Sequence, residues 1–213
     1  MVIALSTNNA HKAKEIEQIL LVNRIEGIRI VLPNELLDTP FDVDENGSSL
    51  EENASIKANS LYYAINKDKN RNLLAFGQEL IPVIADDTGL EVAALGGAPG
   101  VHSARFAGLP ANDANNRKLL LAKLEGASDR SARFRTALCL KSDAGELIFE
   151  GICNGQIVEM ETGFNGFGYD SLFVPEGFAN TFAELSDEEK NAISHRGRAV
   201  ENFLIYVREE LLK

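Results

Sequence analysis

Apolar and polar positions along this chain follow two rhythms, one helical and one extended, and they change over repeatedly through its first half. Residues 2–6 form an apolar run of the buried-strand type. Over residues 10–21, Ala13, Ile16, Ile19 and Leu20 fall at helical spacing. Residues 27–32 read as the next strand, and 33–47 as an acidic, irregular connection. A helix is expected over 50–65, with Ser49 and Glu52 spaced as a capping box at its start. Residues 66–79, rich in Lys and Asn, read as an exposed loop. The run 80–85 predicts a strand that stops at Asp86 and Asp87 and is followed by a Thr88-Gly89 turn.

The glycines of 96–100 demand a loop, and 112–124 reads as helix. Residues 132–140 and 146–153 predict a hairpin, which 156–159 extends. A glycine-rich loop covers 163–168. Ser186 and Glu189 form a second capping box, Gly197 is expected to break the helical run that follows, and 199–212 runs out amphipathically. Helices alternate with strands first and a meander follows. That order predicts an α/β fold with a mixed sheet, in two lobes around a cleft.

The 213 residues suit a single domain of two such lobes. Apolar residues make up 45% and charged residues 25%, as in an ordinary soluble protein, and no apolar run approaches the length of a membrane span. The first residues lack a basic leader segment and read as a strand rather than a signal peptide. Cys139 and Cys153 do not face each other across the predicted hairpin, so both are expected to be reduced thiols in a cytoplasmic protein. A formal net charge of −11 argues against polymeric nucleic acid as a partner, since that mode needs clustered Lys and Arg. A small anionic substrate remains compatible with it.

Asp86 and Asp87 are the most informative pair in the chain. Adjacent carboxylates are costly unless a proton or cation neutralises them, and Mg²⁺ is the hard cation that prefers oxygen ligands and substrate phosphates. Glu45, in the acidic stretch upstream, is a further candidate ligand. Between residues 6 and 12, short polar side chains join strand to helix; they either cap that helix or leave its N–H groups and Lys12 for an anion. Leu50, Ala54, Lys57 and Leu61 share one helical face. Lys57 on that apolar stripe either snorkels to water or neutralises a bound phosphate. Phe167, set between Gly166 and Gly168, either caps the core or stacks on a flat ligand. Lys190, His195 and Arg196 gather donors suited to purine oxygens near a helix break. Arg105 is expected to be structural, and no metal-ligand spacing joins His11, His102 and His195.

Taken in order, six segments resemble the inosine triphosphate pyrophosphatase family. They are Thr7-x-Asn9-x-x-Lys12, Glu52-Asn53-Ala54-x-x-Lys57-Ala58, Ala85-Asp86-Asp87-Thr88-Gly89-Leu90, Gly96-Gly97-Ala98-Pro99-Gly100-x-x-Ser103-Ala104-Arg105, Phe167-Gly168-Tyr169-Asp170 and Glu189-Lys190-Asn191-Ala192-x-Ser194-His195-Arg196. The likeness runs from residue 2 to the C-terminal helix. It implies an elongated mixed β-sheet with flanking helices, two lobes around a central cleft, and a homodimer. It implies Mg²⁺-dependent hydrolysis of deaminated purine nucleoside triphosphates (ITP, dITP, XTP) to the monophosphate and pyrophosphate. Glu45, Asp86 and Asp87 would hold the metal, with Asp87 as proton acceptor and Asp86 and Lys57 as its catalytic companions. Thr7, Asn8, Asn9, Ala10, His11, Lys12, Lys57 and Thr88 would hold the triphosphate. Phe167, Gly168, Tyr169, Asp170, Lys190, His195 and Arg196 would hold base and sugar. Asn8 stands where the family has glycine, Thr88 where serine is common and Ser171 where proline is usual, and the 66–79 segment is longer than the family's link. A phosphatase of other specificity and a non-catalytic nucleotide-binding regulator are the rival readings.

Overall fold

The chain begins with a strand that is apolar at every position, and its sheet is built on both sides of it. In the computed structural model, which describes residues 1–23 and 27–211, β1 (Val2–Leu5) is buried throughout. Then come α1 (Ala10–Val22), β2 (Arg29–Val31), the single turn α2 (Pro33–Leu36), α3 (Leu50–Ile65) and α4 (Lys69–Phe76). After these lie β3 (Val83–Val92), β4 (Pro99–Gly100), α5 (Asp113–Lys123), β5 (Ser131–Ser142) and β6 (Gly145–Ile157). The order closes with β7 (Phe173–Pro175), α6 (Asp187–Ile193) and α7 (His195–Tyr206), and one further helical turn covers Val207–Leu211. The described strands form one seven-stranded mixed sheet in the order β2-β1-β3-β5-β6-β7, with β4 paired to β3. β1 runs parallel to β2 and to β3, while β4 and β7 run antiparallel to their neighbours. Parallel strands carry helices on their faces, which is why β1 and the first half of β3 read as unbroken apolar runs.

The chain divides into two compact units. The first comprises Met1–Asp87, Ala137–Phe149 and Val200–Lys213; the second comprises Thr88–Thr136 and Glu150–Ala199. In the first, Ile3, Leu5, Ile16, Leu61, Ile84 and Phe203 are fully buried. Each such side chain contributes about 1.5–3 kcal/mol relative to exposure. In the second, Leu90, Leu120, Phe134, Phe173 and Phe182 pack as one apolar cluster. Phe134 and Phe173 meet edge to face, with ring centroids 4.8 Å apart.

Three local expectations are corrected. β3 does not end at the acidic pair, and no turn follows it; the strand continues through Asp86, Asp87, Thr88 and Gly89 to Val92, and it starts at Val83 rather than at residue 80. Gly89 serves close approach instead of a turn: a Cβ there would collide with the Gly100 carbonyl of the paired β4. Residues 66–79 are not all loop, because α4 occupies their middle. Asp68 caps its first turn, and Gly77, at φ 70°, ends it in the left-handed conformation. Polar composition hid this helix, whose interior-facing residue is Asn72; that amide donates to the carbonyls of Ile65 and Glu79. Finally, the break between α6 and α7 falls at Ser194, and Gly197 lies inside α7. Glycine is needed there because a Cβ would run into the Asn191 carbonyl.

Other readings are met closely. Ser186 and Glu189 form the reciprocal capping box. At α3, Ser49 caps Glu52, but the Glu52 carboxylate accepts from the N–H and hydroxyl of Ser48. Residue 212, the predicted end of the last helix, lies outside the described residues.

Two consequences can be measured. Gly197→Ala lowers unfolding free energy by about 1–3 kcal/mol, the cost of forcing a methyl against fixed backbone, and urea titration checks it. Cys139 and Cys153 are buried and free. Burial pushes the Cys139 thiol up to about 12 and the Cys153 thiol up as well. Both therefore stay protonated in the folded chain at mildly alkaline pH and resist a disulfide-exchange reagent until denaturant exposes them.

Candidate active site

In the first unit, the centre of charge is the middle of β3. Asp86 and Asp87 are both buried, and α1 and α3 bring lysines to them. The Lys12 ammonium lies 3.2 Å from Asp86 Oδ2 and also donates to the Asp86 carbonyl. The Lys57 ammonium lies 3.2 Å from Asp87 Oδ1 and 2.9 Å from Glu45 Oε2. Lys57 therefore sits on the buried face its spacing predicts, and its charge is met inside the unit by carboxylates. Burial disfavours the Lys57 ammonium, but Asp87, Asp86 and Glu45 together outweigh that penalty and raise its pKa above the ordinary 10.5. The associated stability is present in full below that ordinary value and is lost as pH rises through the higher folded one.

Asn53 was not among the sequence candidates. It is almost fully buried; its amide donates to Asp87 Oδ2 at 3.2 Å and its oxygen accepts the Gly47 N–H at 2.8 Å. One side chain thus ties the strand carboxylate to the loop that carries Glu45. The signal was present: Asn53 is three residues from Leu50 and four from Lys57, a polar amide on the apolar stripe of α3.

The segment entering α1 is organised by capping. Asn9 Oδ1 accepts the N–H groups of His11 and Lys12, and Thr7 Oγ1 accepts that of Asn9. Asn8, the departure from glycine, donates to the Phe41 carbonyl at 2.8 Å. Thr7, Asn8, Asn9 and Ala10 line a cavity of about 750 Å³, faced by residues 37–42 of the same unit.

Three carboxylates against two lysines leave one negative charge in excess, and carboxylate oxygens are the donors a hard divalent cation takes. Among the described residues, no three acidic, His or Cys side chains stand ready as a cation cage. Lys57 occupies the position of a cation shared by Glu45 and Asp87. The donor set fits Mg²⁺ in its chemistry.

In the second unit, Thr88, Thr136, His195 and Arg196 form a hydrogen-bonded line. Thr88 Oγ1 and Thr136 Oγ1 are 2.7 Å apart, Thr136 Oγ1 is 2.6 Å from His195 Nδ1, and Arg196 donates to Thr88 Oγ1 at 3.2 Å. The His195 ring stacks on Phe134 at 4.7 Å between centroids. Nearby, Lys190 pairs with Asp170 at 2.7 Å, and Asp170 also accepts the Phe167 N–H. The Lys190 ammonium lies 5.1 Å from the centre of the Phe167 ring and the Arg196 guanidinium 5.8 Å. Phe167 is half-buried and carries two donor-only groups beside it. Tyr169 is a loop anchor, its ring in the apolar cluster and its hydroxyl on the Ser103 carbonyl. Gly168 is held from both sides, its N–H on Asp113 and its carbonyl on Arg117. Ser171, where proline was the expected residue, donates to Glu161.

Residues 3–206 match the Ham1 family. The dITP/XTP pyrophosphatase of Christiangramia forsetii is 41% identical over 207 residues, covering 97% of this chain and 99% of that protein. The enzyme of the same name from Clostridium perfringens is 44% identical over 200 residues, covering 92% of each. Among solved structures, the Staphylococcus aureus Ham1 protein superposes with a TM-score of 0.81 at 36% identity, over 99% of this chain and all of that one. A HAM1 protein from Coxiella burnetii gives 0.80 at 39% identity, over 98% and 99%.

Proposed function

This chain belongs to the Ham1 family, and from that premise we propose that it hydrolyses dITP, ITP and XTP to the nucleoside monophosphate and pyrophosphate. Relatives that carry the name dITP/XTP pyrophosphatase span nearly its whole length. The observation that carries the reading is the first unit's cluster, in which Glu45, Asp86 and Asp87 meet Lys12 and Lys57. A site for binding alone has no need of paired, buried carboxylates beside two lysines.

Glu45, Asp86 and Asp87 would hold Mg²⁺, which supplies charge neutralisation for the phosphates and a more acidic water. The chain's own residues do the rest. Asp87, oriented by Asn53, takes the proton of the water that attacks the α-phosphorus; the α–β bridging oxygen leaves with pyrophosphate. Lys57 and Lys12, exchanging their carboxylates for substrate, offset charge on the leaving group. Thr7, Asn8, Asn9, Ala10 and His11 border the phosphates, with Thr88 completing that set. Phe167 to Asp170 receive the base and sugar, and Lys190, His195 and Arg196 donate to the 6-keto edge. An adenine amino group there leaves donors unpaired, at about 1–3 kcal/mol for each buried group. On the family likeness we also take the protein to act as a homodimer in the cytoplasm, a state that sedimentation tests; among the described residues no helix is long and apolar enough to cross a membrane.

Initial rates with ITP, dITP, XTP, ATP and GTP, read out as pyrophosphate, test the reading. Deaminated substrates are expected to exceed ATP by about 10²-fold or more in kcat/KM; equal turnover overturns the assignment. Asn53→Ala is expected to raise the half-saturating Mg²⁺ concentration about 10–100-fold, as loss of a residue that orients a ligand does, and metal titration of activity checks it.

A further inference from the structure

Arg196 can only donate a hydrogen bond, and this sets the direction in which the line begins. Its guanidinium gives a proton to Thr88 Oγ1. In the direction that starts at Arg196, the Thr88 hydroxyl points its own proton at Thr136 Oγ1, 2.7 Å away, a contact in which either oxygen can donate. In that same direction Thr136 passes its one proton to His195 Nδ1, 2.6 Å away, which requires the tautomer with an unprotonated Nδ1. Bonds aligned in one direction polarise and strengthen each other. The reverse direction needs an Nδ1–H on His195 and sends two donors onto the Thr88 oxygen. His195 is also the first residue of α7 and the chain neighbour of Arg196. A neutral ring with its Nδ1 accepting carries its proton on Nε2.

We propose that Thr136 is a positioning residue for base recognition, fixing His195 in the neutral Nε2–H form so that the ring offers a donor. Its methyl-bearing side chain is fully buried, and the stack of Phe134 on the imidazole holds the ring plane in which Thr136 reads Nδ1. The consequence for chemistry is a matter of sign. An Nε2–H pairs with a keto oxygen, as in inosine or xanthosine; a bare Nε2 pairs with an amino group, as in adenosine. Thr136 touches no substrate atom in this scheme and sets the selectivity through His195. The inference rests on the base-recognition reading above and adds the residue that gives it direction.

The test uses the full-length protein labelled with ¹⁵N in its histidines. Long-range ¹H–¹⁵N spectra are expected to show His195 with protonated Nε2 and unprotonated Nδ1 in the wild type and in Thr136→Ser, which keeps the hydroxyl. Thr136→Val should shift the ring toward a tautomer mixture and lower the ITP-over-ATP ratio of kcat/KM about tenfold, while Thr136→Ser retains that ratio. A proton on Nδ1 in the wild type overturns the proposal even if the valine variant fails to fold. So does a valine variant with unchanged spectrum and unchanged ratio. If the wild type shows the Nε2–H form yet does not distinguish ITP from ATP, the tautomer assignment stands and the recognition reading fails.

Discussion

Asp87→Asn lowers kcat for dITP hydrolysis by about 10²–10⁴-fold, the range expected when a positioned base is lost. The substitution keeps size and shape, and Lys57 keeps its 2.9 Å contact with Glu45, so the folded state persists. The effect arises because an amide cannot take a proton from water, whereas the carboxylate of Asp87 is buried, aimed by Asn53 and charge-balanced by Lys57. Circular dichroism should be unchanged while pyrophosphate release slows by that factor. Turnover at the wild-type rate in that variant removes Asp87 from its assigned role.

Lys57→Met is the second large effect. It lowers kcat/KM by about 10²–10³-fold, as removal of one preorganised electrostatic donor does. It also strips the buried Asp87 carboxylate of its cation, and breaking such a pair is far more costly than losing a surface bridge. Glu45 is 37% exposed in its side chain and can turn to water, so the cost concentrates on Asp87. Lys57→Arg should not restore activity, because a planar fork does not occupy the place of a compact ammonium. A thermal-shift series separates this account from a purely structural one: Mg²⁺ should stabilise Lys57→Met more than the wild type, since the cation then meets Glu45 and Asp87 without the competing ammonium. Equal Mg²⁺ shifts would show that Lys57 does not stand in a cation's place.

Much of the fold was legible because its rhythm is clean. β1 is apolar at every residue, α1 carries its stripe at Ala13, Ile16 and Ile19, and the hairpin of β5 and β6 has its turn where the polar residues fall. The losses have local causes. α4 buries only Asn72, so it lacks the apolar stripe that betrays a helix. The sequence pattern ends β3 early because carboxylates and glycine are ordinarily strand-ending residues; in the fold the lysines of α1 and α3 neutralise the former, and the close pass of Gly100 requires the latter. Gly197 reads as a helix breaker in sequence, whereas in the fold it lets α7 begin against Asn191.

In the first unit's charged cluster, charge and spacing pointed to Lys57 and the aspartates. Single-segment reading did not reveal which groups meet. Asn53 and Thr136 escaped because each is an unremarkable residue within a regular element. Their roles depend on partners tens of residues away, Asp87 for one and His195 with Thr88 for the other. A polar side chain on the apolar face of a helix or strand was the available sign in both cases.

Hydrolysis of dITP in H₂¹⁸O, with both products analysed by mass spectrometry, tests the central claim most directly. The account predicts one pyrophosphate for each nucleoside monophosphate, with the heavy oxygen on the monophosphate. Label in pyrophosphate, or release of inorganic phosphate with a diphosphate left behind, would contradict attack at the α-phosphorus.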